Sequence, residues 1–130
     1  MSIYTEFYLI DADVADRAVL RSVDDMSPTL SVEGVLELDW FELAQILEVD
    51  THADECSEED ERAAMRLNRK FAARISELSE TELEDLVSDW QDCSDDLMDL
   101  DPGYLLEILL GIQSLIRRAR TTRKHVVLVG

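Results

Sequence analysis

β-branched and aromatic residues dominate from Ile3 to Ile10. Ile3, Thr5, Phe7 and Leu9 fall on one side and Tyr4, Glu6, Tyr8 and Ile10 on the other, a period of two that predicts a strand. Asp11 then reads as the cap of a short helix reaching about Ser22, with Val14, Ala15, Ala18 and Val19 on one face. Asp24 to Pro28 reads as a turn. Leu30 to Leu38 fits an extended segment bent at Gly34. Asp39-Trp40-Phe41-Glu42 has the capping-box form and predicts a helix that carries Trp40, Leu43, Ile46 and Leu47 inward, followed by a polar loop from Asp50 to Cys56.

The clearest helical period starts after Ser57. Ala64, Leu67, Phe71, Ile75 and Leu78 step by three and four, which places them on one face of a helix from about Glu58 to Glu77. Glu58, Glu59, Asp60 and Glu61 would occupy its first turn, where carboxylates suit the helix dipole. Ser79-Glu80-Thr81-Glu82 is a second capping box, opening a helix that buries Leu83, Leu86, Val87 and Trp90. An acidic connector from Asp92 to Asp101 follows. Asp101 caps, Pro102 takes the first helical position, and a long helix apolar on most sides runs to a basic last turn at Arg117 to Arg120. Thr121 to Lys124 reads as a turn and His125 to Val129 as a closing strand.

The expected fold is therefore α+β, a helix-rich single domain over residues 1–130, with the N- and C-terminal strands paired in one small sheet. At 130 residues and 46% apolar composition, the chain can bury a core without disulfides or metal, and it is too apolar for a disordered acidic tail. Met1 to Glu6 lacks the basic and apolar regions of a signal peptide, and no stretch approaches a membrane span. Two cysteines without a CxxC pair fit a reduced, cytoplasmic protein.

Charge changes the picture most. Thirty acids against 12 bases give a net charge of −18. Such a chain is no direct nucleic-acid binder and is ill suited to anionic membranes. The charge is segmented. Residues 1–61 hold 18 acids and 2 bases, 62–74 hold five bases and no acid, 77–107 hold 12 acids and no base, and 117–124 hold five bases. Part of it can therefore be neutralised within the molecule. Ten of the 12 bases are arginine, a bias that a GC-rich genome or a salt-adapted host would also produce.

Catalytic chemistry finds little support. Asp95-Asp96-Leu97-Met98-Asp99 spells DDxxD, the run that holds magnesium in prenyl-transfer enzymes, but such enzymes also need a second acidic cluster and a large apolar helical cavity, which 130 residues cannot easily build. The same aspartates lack the alternating ligands, central Gly and terminal Glu of an EF-hand. His52-Ala53-Asp54-Glu55-Cys56 has zinc-like spacing without the downstream PCxxC of a zinc deaminase. Cys56 and Cys93 lie among carboxylates, which disfavour a reactive thiolate. Nucleophile elbow, P-loop and dinucleotide fingerprint are absent.

The acidic surface remains. The expectation is a non-enzymatic domain without cofactor or bound metal, acting on a basic protein partner by electrostatic attraction. Asp92, Asp95, Asp96 and Asp99 are the first candidate contacts, and Glu58, Glu59, Asp60 and Glu61 the second. The alternatives are a small metal-binding domain or enzyme using the Asp-rich connector, and a protein mimicking the phosphate array of DNA.

The order of segments resembles the YfbM-like family, a bacterial domain of unknown function. The resemblance rests on Tyr8-Leu9-Ile10-Asp11 running into the first helix and on Leu36-Glu37-Leu38-Asp39-Trp40 leading into Leu43, Ile46 and Leu47. It continues through Ser79 to Leu83, the Asp101-Pro102-Gly103 step and the ending His125 to Gly130. It implies an α+β fold and no established activity. Where family members carry a His and a Lys in the Trp helix, this chain has Ala44 and no Lys. Val49 to Ser57 is short where members have a Gly-rich segment. A ligand site built from those features would be lost here.

Overall fold

In the computed structural model, which describes residues 4–24, 26–59 and 62–129 without the side chains of Asp16, Ser57, Glu59 and Arg62, the opening alternation forms β1 (Tyr4–Asp11). Ile3 lies outside the described residues. A 3-10 turn (Asp16–Ala18) leads into α1 (Val19–Asp24). Then follow β2 (Leu30–Glu33), α2 (Glu37–Ile46), β3 (Ala53–Glu59), β4 (Arg62–Leu67), α3 (Arg69–Glu77), α4 (Glu80–Cys93), a 3-10 turn (Asp95–Leu97), α5 (Pro102–Thr122) and β5 (Lys124–Val129).

The terminal strands do pair, antiparallel from Glu6 opposite Val129 to Asp11 opposite Lys124. The sheet is larger than they alone would make: five antiparallel strands in the order β2-β1-β5-β4-β3. The fold is α+β. Phe7, Leu9, Val126 and Leu128 face a thick layer built from α2, α3, α4 and α5. Tyr8, Ile10, Ala64, Val127 and Val129 face the opposite way and are covered by Val19, Leu20 and Val23 of α1. Both faces of β1 and β5 are thus apolar, which is why their sequences alternate so weakly.

The predicted helix from Glu58 to Glu77 is the main correction. Ser57 and Glu58 belong to β3, residues 62–67 form β4, and only 69–77 are helical. Asp60 and Glu61 lie outside the described residues. The cap of α3 is Asn68, whose side-chain oxygen accepts from the Lys70 and Phe71 amides. Arg62 to Leu67 has good helix propensity, but pairing with β3 and β5 satisfies its backbone, and Ala64 fits fully buried on the α1 side. Tertiary pairing outweighs local preference here. The polar loop expected up to Cys56 is shortened accordingly, since β3 begins at Ala53.

The start of α2 is also corrected. The helix begins at Glu37, so Asp39 is its third residue rather than its cap, and its carboxylate accepts from the Leu36 amide at 2.8 Å. Gly34, at φ +85°, supplies the left-handed turn that joins β2 to this helix. At the other end Glu48 adopts φ 60°, with its amide bonded to Gln45 and that of Val49 to Ala44, the Schellman arrangement.

The later helices follow the sequence closely. Ser79 and Glu82 exchange cap hydrogen bonds, and Leu83, Leu86, Val87 and Trp90 are buried. Asp101 caps α5 by accepting from Gly103. α5 continues through Thr122, two residues beyond expectation, and is closed by Arg123 in the left-handed conformation. Buried Gln113 donates to the Ile75 and Leu78 carbonyls and so closes the end of α3. Among the described residues no helix is long and apolar enough to cross a membrane.

Candidate functional site

Asp92 sits in the last turn of α4, Asp95 and Asp96 in the 3-10 turn, and Asp99 just beyond it; all four are exposed. The connector that carries them is firmly held. Leu97 is fully buried, and the Gln91 amide donates to the carbonyls of Leu97 and Leu100 at 3.0 and 2.9 Å. A backbone anchored in this way is ordered before binding, which lowers the entropy lost when a partner docks on it.

Behind the turn lies a carboxylate that sequence reasoning had assigned only to capping. Asp39 is 1% exposed. Its Oδ1 accepts a short hydrogen bond from the buried Ser94 hydroxyl, and its main-chain carbonyl accepts from the Trp90 indole at 2.8 Å. Asp96 stands beside it. The Asp39 charge, followed by partial desolvation, a hydrogen bond to Asp39 and the charge of Asp95, raises the Asp96 carboxyl above its ordinary range. The acidic turn is therefore docked on the first turn of α2. Leu38, next to Asp39, is 62% exposed and Met98, two residues after Asp96, is 64% exposed; Phe41 on α2 is 40% exposed. Each of these exposed apolar side chains adjoins one buried residue: Asp39 beside Leu38, Trp40 beside Phe41 and Leu97 beside Met98.

The second acidic group is not part of this surface element. Glu58 is exposed on β3, an edge strand, and Glu59 belongs to the same strand. Asp60 and Glu61 lie outside the described residues; the four aspartates share one connecting segment, and Glu58 and Glu59 belong to a different element.

A cavity of about 240 Å³ opens between α2 and the sheet, lined mainly by Thr5, Val35, Trp40, Met65, Leu128 and His52, with Glu37 at its edge. The Trp40 indole donates to Thr5 Oγ1, which donates to the Val35 carbonyl. His52, read from sequence as a loop residue, is 4% exposed and meets Phe71 edge-on at 6.5 Å between ring centroids. Burial lowers its pKa, against the opposing charges of Glu37 and Asp54. The imidazole is thus neutral at physiological pH, and its Nδ1 has no hydrogen-bond partner among the described residues. Cys56, on β3, packs at the edge of the α1-covered core, while Cys93 is exposed at the end of α4. Neither is in a disulfide. Among the described residues no group of three or more His, Cys, Asp or Glu side chains could hold a metal ion.

Comparison of the chain with protein-family models, with curated proteins and with solved structures finds no match.

Proposed function

We propose that this chain is a non-enzymatic domain that binds a basic protein partner through the acidic turn between α4 and α5. One observation carries the reading: Asp92, Asp95, Asp96 and Asp99 are exposed along a segment held to α2 through Ser94 and Asp39, and Met98 in that segment and Leu38 beside Asp39 are both more than half exposed. Exposed apolar side chains rimmed by charge are the usual composition of a protein-docking surface. The apolar pair would supply contact energy, and the carboxylates association rate and choice of partner. An immunity-protein or inhibitor role fits this size and charge. Membership of the YfbM-like family is proposed alongside it, on the sequence segments that carry the resemblance.

The test is paired affinity capture from native lysate with the wild type and a Met98→Ser variant that also carries Asp92→Asn, Asp95→Asn and Asp99→Asn. A basic protein should be retained by the wild type at low salt, lost with the variant, and bind in purified form with an affinity that falls as salt rises. Equal retention by both baits overturns the reading. Competition of that complex by duplex DNA would instead favour the DNA mimic. A saturable melting shift at micromolar calcium or magnesium would favour the metal-binding alternative.

A further inference from the structure

The two basic segments, separate in sequence, meet in space. β4 runs antiparallel to β5 with Arg66 opposite Val127, so the junction of β4 with α3 lies beside the junction of α5 with β5. There Arg66, Arg69, Arg120, Lys124 and His125 line a cleft of about 350 Å³ whose apolar wall includes Leu67, Ile116 and Val126. Among the described residues the one carboxylate lining it is Asp54, which faces Arg66 across the β3–β4 pair and accepts from the Asn68 amide at 3.3 Å. Four of the chain's 12 lysines and arginines and one of its two histidines are gathered here.

Like charges held together repel, and a chain with 30 acids has ample means to disperse its bases. Concentrating them around a concave apolar wall is an arrangement suited to an oxyanion, above all a phosphate, which arginine's planar fork can hold through two parallel hydrogen bonds. The net charge of −18 constrains what can arrive. Nucleic acid and other large polyanions meet the repulsive field of the whole surface, whereas a small molecule with one anionic group reaches the local positive cleft. The volume falls in the range of small-ligand pockets. We propose that this cleft binds a small phosphorylated molecule, its phosphate among Arg66, Arg69, Arg120 and Lys124 and its apolar body against Leu67, Ile116 and Val126.

Thermal melts and calorimetry of the full chain with phenyl phosphate and with inorganic phosphate, at ionic strength matched with sodium chloride, test this. The variants are Arg69→Ser/Arg120→Ser, at the cleft, and Arg74→Ser/Arg118→Ser, an equal charge change at exposed positions that do not line it. Phenyl phosphate should bind saturably and more tightly than inorganic phosphate. The cleft variant should bind at least about tenfold more weakly and the control variant like the wild type. A melting shift no larger than that of sodium chloride overturns the proposal, as does equal weakening in both variants. So does concentration-dependent assembly of the wild type that phenyl phosphate reverses, because the occupant would then be the acidic surface of a second copy.

Discussion

Trp90 donates its indole N–H to the main-chain carbonyl of Asp39 at 2.8 Å, a buried bond that ties the end of α4 to the first turn of α2. The two indole rings of Trp40 and Trp90 lie 5.4 Å apart in the same region. Replacing Trp90 by Phe removes this buried hydrogen bond and opens space. The expected loss is about 2 kcal/mol in urea unfolding. An unchanged midpoint would show that Asp39 is held by Ser94 and Leu36 alone.

Asp96→Asn should behave in the opposite sense at neutral pH. The folded-state pKa of Asp96 is raised, mainly by the charge of Asp39. The stabilising effect of its protonated form is complete below the ordinary value of 3.8 and lost as pH climbs through the raised one. At pH 7 the ionised Asp96 opposes folding, so the variant should melt higher than the wild type there. The difference should shrink as pH falls toward the ordinary carboxylate range. Melting curves at pH 7 and pH 4 distinguish this from a pH-independent gain.

His52 carries the reverse pH signature. Burial lowers its folded pKa below 6.5, so its contribution to stability is present above that value and lost as pH drops toward the lowered one. Between pH 7.5 and 5.5 the wild type should lose more stability than His52→Gln, measured by urea midpoints. Equal losses would mean that the imidazole titrates as if solvated.

Glu48 occupies the left-handed position of the Schellman turn after α2, a conformation that costs an L-residue roughly 1–2 kcal/mol. Glu48→Gly should therefore stabilise the protein by about 1 kcal/mol in the same urea assay. A loss would locate a contact for the Glu48 side chain that offsets the backbone strain.

Elements whose pattern arises locally were readable from the chain. The Ser79–Glu82 box, the Asp101-Pro102 start and the terminal strands carry their own signals in capping chemistry and alternation. The β3–β4 hairpin does not. Ala64 and Leu67 fall in helical step with Phe71 by coincidence: Ala64 pairs with Val129 on β5, beyond the reach of any window, and Leu67 with Ala53 on β3. The same non-local pairing hid both structural sites. Asp39 meets Ser94 and Asp96 only after α2 and α4 dock, and the basic cleft exists only because β4 lies beside β5. The four connector aspartates were legible as exposed residues; the apolar company of Leu38 and Met98 was not.

The placement of β3 at the sheet edge gives its acids a meaning independent of any partner. An open edge offers unpaired amides and carbonyls on which another molecule's strand can extend the sheet. Asp54, Glu55 and Glu58 are exposed along that edge, so two such edges brought together oppose one another as arrays of like charge. The guard consists of exposed charges, so salt screens it, and edge-to-edge pairing between copies is opposed most strongly at low ionic strength.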